Sequence, residues 1–111
     1  MELLPRARRS DTILLHDLVS VLMQHPNGLR RWSIMRAMRT LSERANREVT
    51  PKFEDDVERA FRRHCSGDAV RANLGNKTEE LFHRPKEAVG EVWAVHAEKA
   101  QAFLDGQILA A

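Results

Sequence analysis

Apolar residues recur through most of the chain at the spacing of an amphipathic helix. The first such segment begins at Asp11, which suits an N-cap, and stops before the residues His-Pro-Asn-Gly at 25–28, a strong turn signal. Its apolar positions follow the i, i+4, i+7, i+8 pattern of one helix face and are Leu14, Leu18, Val21 and Leu22. The pattern predicts a first helix that buries this stripe.

Two further helices are predicted by the same spacing. The second runs from about Leu29 to Ala45, and its inward positions are Ile34, Met38, Leu41 and Ala45. The third has a clear start, because Thr50 suits the N-cap and Pro51 the first helical position. Its apolar stripe, which ends near Cys65, is Phe53, Val57, Ala60 and Phe61.

The helical pattern is interrupted between residues 81 and 95, where the sequence is LFHRPKEAVGEVWAV. Two short segments rich in Phe, Val and Trp, 81–84 and 91–95, predict a β-hairpin. Pro85 cannot continue a paired strand, and Gly90 can supply positive φ at the return. Phe82 and Trp93 are the largest apolar groups available to close the core, so we expect both to be buried.

The remaining segments complete the predicted order of elements. Residues 1–10 form a basic arm, and residues 66–78 form a polar loop with a short turn of helix near its middle. A closing helix begins at His96 and ends at Gly106, with inward positions Ala97, Ala100, Phe103 and Leu104. The sequence therefore predicts a mainly α domain with a C-terminal β-hairpin, an α+β class. Its parts are the arm at 1–10, the domain at 11–95, and the C-terminal helix and tail at 96–111.

Composition is that of one compact domain. The chain has 111 residues, of which 42% are hydrophobic and 31% charged, and this balance excludes a disordered chain. No run approaches the roughly 18 apolar residues of a membrane span, so we expect no membrane partner. The single cysteine, Cys65, excludes an intrachain disulfide framework and favours a cytoplasmic location.

The small net charge of +2 hides an asymmetry along the chain. Residues 1–50 carry nine Arg and no Lys against five acidic residues, whereas residues 51–111 are slightly acidic. Between residues 30 and 47 there are six Arg and one Glu. Because Arg suits bidentate phosphate or carboxylate contacts, an anionic partner is expected on the first half of the chain.

Catalytic and metal chemistry find little support in the sequence. His64 and Cys65 are adjacent, so on a helix they project about 100° apart and cannot easily grip one ion. No His or Cys spacing typical of zinc sites occurs, and no glycine-rich phosphate loop is present. We therefore expect no enzyme activity, no metal and no cofactor.

The order helix, turn, longer helix, helix, hairpin and closing helix resembles the winged helix-turn-helix family. The resemblance covers roughly residues 11–95, with the Pro-Asn-Gly turn between the first two helices and 81–95 as the wing hairpin. It implies a small DNA-binding protein, a transcriptional regulator or a chromosome-associated protein, whose third helix enters the major groove of duplex DNA. The residues that it implies for DNA contact are Arg30, Arg31, Lys52, Arg59, Arg62, Arg63, Arg84 and Lys86. The arginine-rich second helix adds Arg36 and Arg39 to these candidates.

One feature departs from the family pattern. The first half of the third helix reads KFEDDVE, and its acidic residues would repel phosphates. Asp55 with Arg59, and Glu58 with Arg62, stand at i, i+4 and are expected to pair along a solvated helix face. The second helix is therefore the better basic surface.

The alternative function is a winged helix used for protein contact, without DNA. Trp32 falls on the same side of its helix as Arg36, so it either contacts a partner or packs beneath the N-terminal arm. The apolar tail either docks on its own domain or pairs two subunits, and a homodimer is predicted. The candidate residues for such interfaces are Trp32, Phe103, Ile108 and Leu109.

Overall fold

The computed structural model describes the backbone of residues 3–110 and the side chains of residues 12–106. In this part of the chain, five helices surround a small sheet. The helices are α1 (Leu3–Met23), α2 (Arg31–Arg44), α3 (Phe53–Arg63), α4 (Ala69–Asn73) and α5 (Ala97–Ala110). The strands are β1 (Leu29–Arg30), β2 (Phe82–His83) and β3 (Val92–Val95). The predicted α+β class is confirmed.

The sheet is antiparallel, with β3 in the middle and the order β1-β3-β2. Leu29 pairs with Trp93, and Phe82 pairs with Val95. The hairpin is where it was predicted, but its first strand is only two residues long. Strand β1 was not predicted, and the expectation that α2 begins at Leu29 is wrong by two residues.

Strand β1 exists because of the turn before it. Gly28 has φ of +89°, a left-handed conformation that other residues rarely adopt. A Cβ at this position would lie 2.8 Å from Val92 Cγ1 and 2.9 Å from the carbonyl oxygen of Trp93. The glycine thus lets the chain turn out of α1 while its backbone lies directly against β3, and Leu29 then pairs with that strand.

Aromatic residues join the hairpin to α3. Phe82 and Trp93 are fully buried, which confirms their predicted role. The ring of Trp93 stacks on Phe61 with centroids 4.0 Å apart, and Phe61 lies 5.3 Å from Phe82. Pairs of this kind add about 0.5–1.5 kcal/mol beyond the area that they bury. The hairpin is therefore part of the core.

The helices bury most of the predicted apolar stripes. Leu18, Leu22, Ile34, Met38 and Val57 are fully buried, and α1 packs against α2, α3, α5 and β3. Two predicted inward positions are exposed, Ala45 beyond the end of α2 and Ala97 at the start of α5. Both lie at helix ends, where the chain has already left the core or not yet reached it.

Several helix ends differ from the sequence prediction. Helix α1 begins at Leu3, so Asp11 lies inside it and most of the predicted arm is helical. Helix α5 continues through Gly106, since an isolated glycine lowers helix stability without ending the helix. Lys52, not Thr50, is the N-cap of α3, because residues 50–53 form a turn in which Phe53 N donates to Thr50 O at 3.0 Å.

Candidate nucleic-acid interface

The outward side of α2 carries the residues on which the functional interpretation depends. Ile34, Met35, Met38 and Ser42 face the core. With about 3.6 residues per turn, these positions leave six exposed residues on the outward side, which are Trp32, Arg36, Arg39, Thr40, Glu43 and Arg44. We call this set the α2 outer face.

Two α2 arginines are tied to the acidic first half of α3. Arg31 donates to Glu58 through Nη2 at 2.8 Å and Nε at 3.2 Å. Arg39 donates to Glu54 through Nη2 at 2.9 Å. Arg31 and Arg39 therefore partly neutralise the acidic residues of α3 that would repel phosphates. In doing so, the two arginines are no longer available as unpaired cations.

The ion pairs along α3 differ from those predicted by spacing. Arg59 pairs with Asp56 at i, i+3, at 3.1 Å, and not with Asp55. Glu58 turns toward Arg31 on α2, so the predicted pair with Arg62 is also wrong. Glu58 thus pairs with an arginine of another helix, which donates to it through two nitrogens, and not with an arginine of its own helix. Arg62 in turn reaches Asp68, the residue before α4.

Asp68 is the centre of a charged cluster at the base of the hairpin. Its side chain is only 3% exposed and accepts hydrogen bonds from Arg62 Nε at 3.2 Å and Arg84 Nη2 at 2.9 Å. It also caps α4 by accepting from Val70 N at 2.8 Å. Burial alone would raise the pKa of Asp68, but these hydrogen bonds outweigh it and hold the pKa below its usual value.

Arg84 also belongs to this cluster, although its side chain is 41% exposed. Its guanidinium lies 5.1 Å from the ring centroid of Phe61 and 3.7 Å from the carboxylate of Glu91. Glu91 also accepts a hydrogen bond from Trp93 Nε1 at 3.0 Å. Arg84 thus connects α3, α4 and the hairpin, which makes its contacts structural.

Four of the ten candidate DNA-contacting residues are exposed cations that form no ion pair with any other side chain in the described range 12–106. They are Arg30, Arg36, Lys52 and Lys86. Arg30 lies on β1, Lys52 caps α3, and Lys86 is in the hairpin loop. Arg63 has no ion pair within that range either, but it is half-buried in a cleft between α1 and α3.

Trp32 is 62% exposed, the largest exposed apolar side chain among the described residues. Arg36 lies over its ring, with 5.8 Å between Cζ and the ring centroid. The ring is at the edge of a shallow pocket of about 160 Å³. The residues that line this pocket are Arg31, Trp32, Met35, Arg36, Arg39 and Glu54.

The other residues predicted for protein contact do not form a surface with Trp32. Phe103 is 9% exposed and belongs to the core, and its helix α5 packs against α1. Ile108 and Leu109 lie outside the side chains that the structure describes. None of the three α5 residues predicted for a dimer interface is therefore seen as an exposed side chain within the described range.

His83, His96 and Cys65 make contacts that stabilise the fold. His96 Nε2 is hydrogen-bonded to Ser66 Oγ at 2.9 Å, and its ring stacks on His83 at 4.8 Å. Burial, followed by the nearby His83 and Lys99, lowers the pKa of His96. Burial raises the pKa of Cys65 to about 11, so its reactive thiolate is disfavoured. Within the described residues, no group of three or more His, Cys, Asp or Glu could hold a metal ion.

Sequence reasoning missed the residues that neutralise the candidate cations. Asp68 follows a Ser-Gly break and precedes a short helical segment, which is an N-cap signal that could have been used. No comparable signal identifies Glu54 and Glu58 as partners of α2, because they are distant in sequence from the arginines that they meet.

Comparison of the chain with protein-family models, curated proteins and solved structures finds no match. Among residues 3–110, none of the helices combines the length and the apolar character that a membrane crossing requires.

Proposed function

We propose that this protein is a small winged-helix DNA-binding protein, a transcriptional regulator or a chromosome-associated protein that holds duplex DNA through its phosphates. The element order supports this proposal: a strand between the first two helices joins the hairpin in one small sheet beside three helices. A protein-contact function on the same fold remains the second candidate, and the exposure of Trp32 favours it.

The observation that carries the proposal is the division of the basic residues into two groups. Arg31, Arg39, Arg59, Arg62 and Arg84 each lie within 3.2 Å of a carboxylate of the same chain. The four exposed candidate cations that form no such pair with described residues lie on β1, on the α2 outer face, at the start of α3 and in the hairpin loop. An unpaired, exposed arginine loses less by meeting a phosphate, since no internal ion pair has to be broken.

The division of the basic residues predicts how DNA is recognised. Because Arg59 and Arg62 on α3 are engaged with Asp56 and Asp68, and Arg63 is half-buried, few side chains remain there to read base edges. Phosphate contacts carry little sequence information, so random and selected duplexes should be bound with similar affinity. Four contacts, from Arg30, Arg36, Lys52 and Lys86, imply a slope of log affinity against log salt of roughly −3 to −4.

Fluorescence anisotropy with a labelled random duplex at several salt concentrations tests this function. Arg36→Ala should weaken binding and make the salt slope less steep by about one. Arg59→Ala is the matched control, because it removes an equally exposed arginine that is already paired with Asp56. Equal losses in the two variants would contradict the assignment of the α2 outer face. A folded wild-type protein that binds no duplex at low salt would overturn DNA binding and leave the protein-contact function.

A further inference from the structure

The α2 outer face holds one aromatic ring among three arginines and one acid, Glu43, and phosphate contact alone does not explain the ring. Trp32 is 62% exposed, while the other tryptophan, Trp93, is fully buried. Exposing most of an indole forgoes the stabilisation that burial of such a large apolar group provides. The exposed ring is therefore accessible to a ligand.

The surroundings of Trp32 differ from those of an aromatic anchor in a protein interface. Such anchors lie in well-packed apolar patches from which water is excluded. Around Trp32 the pocket is lined by three arginines and Glu54, and its one apolar neighbour there, Met35, is 3% exposed. The other large exposed apolar residues of the described range, Leu74 and Val89, belong to the end of α4 and to the hairpin loop. No broad apolar patch surrounds the indole within the described residues.

Charge complementarity points to an anionic aromatic ligand. Arg36 lies over the indole at 5.8 Å, and neither Arg36 nor Arg30 is paired with a described acidic residue. A nucleotide with an unpaired base offers a flat ring for the indole and a phosphate for the neighbouring guanidinium. Base–aromatic stacking tolerates any base sequence, because every base has a π-face, and arginine adds to it. A base inside a duplex already stacks on its neighbours and does not present this face.

We propose that Trp32 stacks on the unpaired base of a nucleotide whose flanking phosphates are held by Arg36 and Arg30. The protein then binds single-stranded DNA, or a single-stranded end, more tightly than blunt duplex. This proposal rests on the proposed nucleic-acid function and specifies its ligand. It assigns the α2 outer face to recognition of unpaired bases and leaves α3 as a supporting helix.

The two tryptophans make the test selective. Trp93 is enclosed between Phe61 and the hairpin, so quenching of tryptophan emission by added DNA reports on Trp32. Three labelled ligands with equal numbers of phosphates are compared by anisotropy: a blunt duplex, a duplex with a single-stranded overhang, and a single strand. Wild-type protein should bind the last two more tightly and show quenching with them.

Variants at Trp32 separate stacking from charge. Trp32→Ala should weaken binding to the single strand and the overhang by about 5- to 100-fold, and binding to the blunt duplex by less than about twofold. Trp32→Phe should retain most of the affinity, since phenylalanine also stacks, yet lose the quenching. The position is exposed, so both variants should fold, and circular dichroism checks this.

The possible results distinguish the two proposals. Equal wild-type affinity for all three ligands, with Trp32→Ala unchanged, would overturn the stacking proposal while duplex binding stands. Absence of binding to any of the three would overturn both. Binding of a polyglutamate peptide that Trp32→Ala abolishes, without binding of DNA, would overturn the nucleobase proposal and assign the face to an acidic protein partner.

Discussion

The base of the hairpin and the α2 outer face each place an arginine over an aromatic ring. The two regions differ in the burial of the ring and in whether a carboxylate holds the arginine. At the hairpin base, Arg84 lies over Phe61 and is held by Asp68, which is 3% exposed. On α2, Arg36 lies over Trp32, which is 62% exposed, and no described acidic residue pairs with it. The arginine of this contact is thus held by a buried carboxylate in one region and by no described carboxylate in the other, although the Arg84 side chain is itself 41% exposed.

The difference shows why charge counts along a sequence are a poor guide to a binding surface. Arginines that close a buried network are compensated by acids that the fold brings to them, and their net effect outside the molecule is small. An arginine becomes available to a partner only when the fold supplies no carboxylate. By this criterion, Arg36 on the α2 outer face is available, whereas Arg39, which pairs with Glu54, and the arginines of the hairpin base are not.

Replacing the two tryptophans should give the largest contrast. Trp93→Ala, or Phe82→Ala beside it, should destabilise the protein by roughly 3–5 kcal/mol, because a fully buried ring leaves a cavity in the core. Trp32→Ala should change the free energy of unfolding by less than about 0.5 kcal/mol, since its ring is at the surface. Urea denaturation measures both. Similar losses of unfolding free energy in Trp32→Ala and Trp93→Ala would show that the two tryptophans are equally important to the core.

Neutralising Asp68 should have the next largest effect. Asp68→Asn keeps an oxygen to cap α4 but removes the charge that Arg62 and Arg84 share, so we expect a loss of about 1–3 kcal/mol near neutral pH. Thr40→Ala, at an exposed position of α2, is the control and should change stability little.

The effect of Asp68 should depend on pH in one direction. Folding lowers the pKa of Asp68 below its usual 3.8, so the folded state releases this proton more readily than the unfolded chain. The stabilisation is therefore present above the usual pKa and is lost as the pH falls through the folded value. Wild type and Asp68→Asn should converge in stability on acidification, and a constant difference down to about pH 2 would contradict the assignment.

The two arginines should give the smallest contrast in stability. Arg84→Ala should destabilise the protein by about 1–2 kcal/mol, because it removes a contact with Phe61 and one of the two arginine partners of Asp68. Arg36→Ala should be within about 0.5 kcal/mol of wild type, as expected for an exposed side chain. Thermal unfolding of the two variants side by side checks the comparison, which fails if Arg36→Ala is the less stable of the two.

Much of the fold was predictable because its signals are local. The spacing of Leu14, Leu18 and Leu22 marks one face of α1, and Pro85 with Gly90 marks the return of the hairpin. The α3 stripe of Phe53, Val57 and Phe61 is buried as its spacing predicts. Strand β1 was missed because two residues carry no periodicity, and its pairing with β3 depends on a partner more than 60 residues away.

The candidate site was predictable only in part. Sequence alone showed that α2 is rich in arginine and that Trp32 falls on its basic side. It could not show which arginines are neutralised, because the partners of Arg31 and Arg39 lie 27 and 15 residues further along the chain. The i, i+4 rule favoured pairs within α3, and tertiary contacts with better geometry replaced them.

The sequence by itself determined the helices, the place of the hairpin and the burial of its two large aromatic residues, since periodicity and side-chain size act locally and strongly. Only the tertiary structure decided which charges remain exposed without an internal partner. A salt bridge depends on the distance between two side chains to within about an ångström, and that distance is set by how α2, α3 and the hairpin pack together. Arg36 and Arg84 are both exposed arginines that lie over an aromatic ring, and the position of Asp68 gives an internal partner to Arg84 but not to Arg36.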